Sequence, residues 1–205
     1  MNNYQINKLK KEIKKLMTIK GEARGAVFKT DASYVISKKG EEGLGTLKEM
    51  VKKMDLPISY DKDIIATGWY PLSWRVSSLL IIKEVFNFDD KDIFEMGKMA
   101  PKYSFIVKTL LRYFVSVKKT FEESAKYWEE HYTVGKLEAP EINVKDKHLV
   151  LHLKNFNVYP VFCIYLAGYF ETIANMVVKT GKMKIKEEKC SFAGDSYHEY
   201  IINWE

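Results

Sequence analysis

The stretch GKLEAPEINVKDKHLVLHLKNF, residues 135–156, decides the fold. From His148 to Leu153 its residues alternate, with His148, Val150 and His152 on one face and Leu149, Leu151 and Leu153 on the other. A period of two marks a strand, and a single wholly apolar face marks a sheet covered on one side. Lys145 and Asp146 supply the turn that folds a preceding strand back against it. Further on, YPVFCIYLAGYFETIANMVV (159–178) is apolar and broken only by Glu171 and Asn175. It reads as a buried helix over roughly 160–179, ended by Thr180-Gly181. MKIKEEKCSF (183–192) and SYHEYIINW (196–204) read as two more strands, joined by Ala193-Gly194-Asp195. The C-terminal part is therefore expected to be β-β-α-β-β.

Towards the N-terminus the period changes to that of a helix. Ile6, Leu9, Ile13, Leu16 and Met17 share one face of residues 4–19, with lysines opposite. This amphipathic helix is expected to pack on its own domain or on a dimer partner. Asp31 suits the N-cap of a helix that Gly40 stops, and residues 43–54 look helical again. Pro71 suits the first turn of a helix from Leu72 to Phe86. Asp89 or Asp90 caps a helix through Phe94 and Met96. Residues 104–115 are apolar, and Phe121 to His131 is helical. The expectation is an α+β fold, one compact domain over 1–205. It divides into a helix (1–20), a mainly helical region (21–132) and a C-terminal ββαββ unit with an antiparallel sheet (133–205).

Composition excludes several classes. The net charge is +6, but apart from KLKKEIKKL (8–16) the lysines are dispersed, and no arginine block or zinc-finger spacing suggests nucleic acid. No uninterrupted run reaches the ~18–20 apolar residues of a membrane span. The opening MNNYQINKLKK carries no apolar signal core, so a cytoplasmic location is expected. There, two cysteines point to free thiols or metal ligands more than to a disulfide. No Ser/His/Asp grouping and no glycine-rich phosphate loop is present, so no enzyme is expected.

The last hairpin holds ligand-type residues. With Ala193-Gly194-Asp195 as a three-residue loop, Cys190 faces His198 across the strands, their Cβ atoms about 5 Å apart. A two-residue loop would set Cys190 against Glu199 instead. Cys163 lies near the start of the long helix. Strict alternation puts Glu188 on the face of Cys190, whereas Glu187 needs a β-bulge to reach it.

The segment CIYLAGYFETIANMVVKTGKMKIKEEKCSFAGDSYHEY (163–200) resembles the C-terminal part of the 4-vinyl reductase domain family, shared by aromatic-sensing NtrC-type activators. The resemblance implies a structural zinc held by Cys163, Glu187, Cys190 and His198, with His198 in place of the family's last cysteine. It thus favours Glu187 where alternation favours Glu188. RGAVFKTDASYVISKKGEEGLGTL (24–47) is similar to the opening of haem-NO-binding domains, which share a distant fold with that family and with TRAPP trafficking subunits.

The resemblance implies a sensor-type domain that binds a small hydrophobic or aromatic ligand and forms a homodimer. From the aromatic cluster of the middle region, Trp74, Tyr113, Phe114 and Trp128 are expected to line its pocket. Arg75 and Arg112 are placed to meet a ligand carboxylate. A second expectation is a haem or tetrapyrrole gas sensor, and a third is a TRAPP-like interaction module holding a lipid tail. Against haem, YPLSWR (70–75) departs from the Tyr-x-Ser-x-Arg spacing of haem-NO-binding proteins, and His131 reads as a helix-end or surface histidine.

Overall fold

The computed structural model describes residues 1–60, 63–110, 116–178 and 182–205. In chain order the elements are α1 (Asn3–Leu16), β1 (Glu22–Arg24), α2 (Ala26–Lys53), β2 (Trp69–Pro71), α3 (Leu72–Val85) and α4 (Asp90–Tyr103). Then come α5 (Phe105–Leu110), α6 (Val117–Glu122), α7 (Ser124–Glu129), β3 (Lys136–Asn143), β4 (His148–Lys154), α8 (Val161–Val178), β5 (Met183–Lys189) and β6 (His198–Trp204). The fold is α+β, helical first and then ββαββ, as its periodicities predict.

The four C-terminal strands form one antiparallel sheet in the order β3-β4-β6-β5. Leu149, Leu151 and Leu153 of β4 join Tyr200 and Ile202 of β6 in the core beneath α8. Helix α8 is long and apolar enough by composition to cross a membrane, yet ten of its residues are buried in the fold. It crosses α4 in backbone contact. A Cβ on Gly97 would lie 1.9 Å from the Tyr165 carbonyl oxygen, and one on Gly168 would lie 2.1 Å from that of Phe94. Only glycine permits this approach, so the two helices leave no space between them at the crossing. Lys98 and Glu171 clasp the edge at 3.1 Å.

Helix α1 opens on a capping box in which Asn2 and Gln5 satisfy each other's backbone N–H groups. It buries Leu9, Ile13 and Leu16 within the chain, in contact with α3. Each such burial contributes about 1.5–3 kcal/mol. Three residues of the stripe that sequence offered to a dimer partner are thus covered by the chain itself, while Met17 stays exposed.

Gly40 ends the first helical stretch of α2, as expected: its φ of 68° and ψ of -173° are not helical, and a second stretch follows beyond it. Asp31, in contrast, is no N-cap, because α2 already begins at Ala26 and Asp31 sits buried inside it. The short β1–β2 pair, with Ala23 opposite Tyr70, has no signal in three-residue segments of mixed composition. The expected end of α8 at Thr180-Gly181 lies outside the described residues.

Candidate functional site

A cavity of about 70 Å³ lies between the helical region and α8. Its wall takes Ala26, Val27 and Thr30 from α2, Ala100 and Ser104 from the end of α4, and Thr120 and Phe121 from α6. Tyr127, Trp128, His131 and Tyr132 close it from α7 and its C-terminal turn, and α8 contributes Tyr165, Leu166, Tyr169, Phe170 and Ile173. Among the described lining residues there is no lysine, arginine or carboxylate. The chamber is therefore apolar with a few hydroxyl and imidazole groups, the general form of a small-molecule site.

Two of those groups lack partners. Thr120 Oγ1 and the Nε2 atom of His131 are buried side-chain atoms with no hydrogen bond, and both residues line the cavity. His131 is 8% exposed, so its sequence reading as a surface histidine is corrected. Its backbone is held by β1: Arg24 N–H donates to the His131 carbonyl at 2.9 Å, and Ala23 bridges Tyr132. Its Nδ1 lies 3.0 Å from the carbonyl oxygen of Tyr127. A carbonyl only accepts, so Nδ1 carries the hydrogen and Nε2 presents a bare lone pair. Burial pushes the imidazole pKa down, which keeps the ring neutral.

Of the four expected pocket residues, Trp128 lines the chamber, and its indole N–H donates to the Val134 carbonyl at 2.9 Å. Trp74 lies outside the wall, tilted against Tyr70. Tyr113 and Phe114, like Arg112, fall outside the described residues. Arg75 does meet a carboxylate, but the chain's own. It is fully buried and ion-paired with the equally buried Asp31, which also accepts from Ser78 at 2.9 Å. The Arg75 guanidinium lies over the rings of Tyr165 and Phe162, just behind the chamber wall.

A second constellation lies at the start of α8. Cys163, Glu187, Cys190 and His198 bring one ligand-type atom each to within 4.8 Å of one another. The sulfurs are 3.6 Å apart, and His198 Nδ1 is 3.7 Å from Cys163 Sγ and 3.0 Å from Glu187 Oε1. Between Glu187 and Lys189 the β5–β6 register shifts by one residue. Glu187 faces inward in step with Met183 and Ile185 while Glu188 is exposed, and the bulge that follows brings Cys190 round to the Glu187 face. Burial, then the Glu187 carboxylate, push the Cys163 thiol well up.

No protein-family model matches the chain, and no curated protein matches it. Solved structures do. An H-NOX protein from S. oneidensis, in its Fe(II)NO state, is 13% identical, covers 89% of this chain and 99% of its own, and superposes with a TM-score of 0.68. An oxygen-binding H-NOX domain related to soluble guanylate cyclases is 12% identical over 89% and 95%, with a TM-score of 0.63. A protein used to modulate haem redox potential through porphyrin distortion is 13% identical over 88% and 99%, with a TM-score of 0.59. The chain has the fold of these proteins over nearly its whole length.

These neighbours correct the cofactor expectation. The prosthetic group named among them is haem iron, not zinc, so the fold points to haem where the sequence pointed to a structural zinc. The described residues meet a haem at one point only. His131 Nε2 is a suitable axial base, buried and unpartnered. The space is not suitable: the chamber holds about 70 Å³, against ~300–1,000 Å³ for pockets that enclose larger organic ligands. Nor do the described lining residues offer a cation to a propionate. Among the described residues, the chamber does not fit haem.

Proposed function

We propose that this chain is a small-molecule-sensing module on the H-NOX fold, taking a small uncharged ligand directly into the chamber beneath His131. The ligand class is an apolar body with one hydroxyl or similar hydrogen-bonding group. The observation that supports this is the pair of unsatisfied buried atoms, Thr120 Oγ1 and His131 Nε2, on an otherwise apolar wall. Leaving a buried polar atom unpaired costs about 1–3 kcal/mol, which a ligand supplying the partner recovers. A hydroxyl can donate to Nε2 while its oxygen accepts from Thr120. The ligand then orders α6, α7 and α8 against one another, and sensing is a shift in their equilibrium.

The test is a titration with phenol, which has the stated chemistry, followed by the fluorescence of Trp128 in the wall. Saturable one-to-one quenching, weakened in Thr120→Val and His131→Leu, is expected. Quenching unaffected by either substitution would overturn the reading.

A haem sensor is the second reading, favoured by the free Nε2 lone pair of His131. Titration with hemin separates the two: a stoichiometric Soret band lost in His131→Leu would establish haem. We also propose Cys163, Glu187, Cys190 and His198 as ligands of a metal ion whose identity the donor set does not fix, read by elemental analysis of untagged protein.

A further inference from the structure

We propose that Cys163 and Cys190 are a thiol pair that closes into a reversible internal disulfide, clamping the start of α8 to the β5–β6 hairpin. Both cysteines are free, and their sulfurs stand 3.6 Å apart although 27 residues separate them in sequence. Bond formation requires them to approach to about 2.05 Å, a movement within reach of two side-chain rotations. Cys190 is also held in place. Its N–H donates to Asp195 Oδ2 at 2.8 Å, and its carbonyl accepts from Ala193 N–H at 2.8 Å. Cys163 lies in the first turn of α8, whose later turns carry Tyr165, Tyr169 and Phe170 of the chamber wall. The bond would therefore tie the wall helix to the sheet edge.

The two sulfurs differ in access, which orders the reaction. Cys163 is 7% exposed, whereas Cys190 is half-buried at the surface end of the cluster. With glutathione disulfide as oxidant, the Cys190 thiolate attacks one glutathione sulfur and expels the other as a thiol. Cys163, losing its proton to solvent, then attacks the Cys190 sulfur and expels the second glutathione. The protein gives up two electrons and two protons, and one glutathione disulfide becomes two glutathiones. A metal ion held on the same sulfurs excludes this bond, so the reaction belongs to the metal-free chain.

The experiment treats the full chain with chelator, desalts it, and incubates it in glutathione buffers of graded oxidation before acid quenching and intact-mass measurement. Wild type is expected to lose both titratable thiols and two hydrogens, without retaining glutathione. Cys163→Ser, which removes the resolving thiol, is expected to retain one glutathione on Cys190. Peptide mapping of wild type alone gives a second readout, a linked peptide pair containing residues 163 and 190. Wild type that retains glutathione on Cys190, keeps both thiols in the most oxidising buffer, or links two chains instead would overturn the proposal.

Discussion

His131 donates its Nδ1 hydrogen to the carbonyl of Tyr127, four residues earlier, at 3.0 Å, and this one bond leaves Nε2 as a bare acceptor on the chamber wall. The ring is buried neutral, so its folded pKa lies below the usual ~6.5 of histidine. In the window between those two values the unfolded chain binds more protons than the folded one. Stability is thus full above pH ~6.5 and falls as pH drops through that window, by at most ~1.4 kcal/mol per pH unit. Urea unfolding at about pH 7.5 and about pH 5.5 should show a larger loss for wild type than for His131→Leu. Equal losses would mean that the imidazole is not held neutral.

Asp31 and Arg75 form a fully buried pair, and breaking it from one side leaves an uncompensated charge. Arg75→Leu is expected to lower stability by about 3–5 kcal/mol. Replacing both partners, as Asp31→Leu with Arg75→Leu, should cost less than Arg75→Leu alone, because no charge is stranded. Denaturant melts of the single and double variants check this, and a double variant less stable than the single would contradict it.

The α4–α8 crossing depends on two missing side chains. Gly97→Ala and Gly168→Ala each drive a methyl group into a backbone carbonyl that cannot move without its helix. Each is expected to cost about 1–3 kcal/mol or more. Once the helices have parted for one methyl the second costs less, so the double variant should fall short of the sum. Additive losses in thermal unfolding would show that the helices adjust locally instead.

Hemin added to the purified chain is expected to stay loosely associated, giving no stoichiometric Soret band and separating on gel filtration. The reason is the small volume of the chamber and its lack of a described cation. A sharp band retained through the column would move the account to the haem reading.

Much of this was legible in sequence. The alternation of His148–Leu153 and the apolar run of 159–178 define the sheet and its covering helix because their periods differ. Cys163, Glu187, Cys190 and His198, the set that the family resemblance implied, do lie together in the fold, whereas alternation alone favoured Glu188 and could not show the bulge after Glu187. His131 does end a helix, as expected, but its polarity there hid that it is buried. The available signal was its place three residues after Trp128 and next to Tyr132, on the face that carries the aromatic wall. Asp31 was misread for the opposite reason. An acidic residue before an apolar run imitates an N-cap, and its partner Arg75, 44 residues away, is invisible to local pattern. The close α4–α8 crossing was not legible at all, since it follows from how Gly97 and Gly168 let two helices distant in sequence meet.

The measurement that tests the central claim most directly is calorimetric titration of wild type and His131→Leu with phenol and with benzene. The account predicts that phenol binds wild type one-to-one and up to about tenfold more tightly than benzene, the worth of one buried hydrogen bond. It predicts that this preference disappears in His131→Leu while benzene binding persists. Phenol binding no better than benzene in wild type, or a preference that survives the loss of the imidazole, would contradict the claim that His131 is the polar end of a ligand chamber.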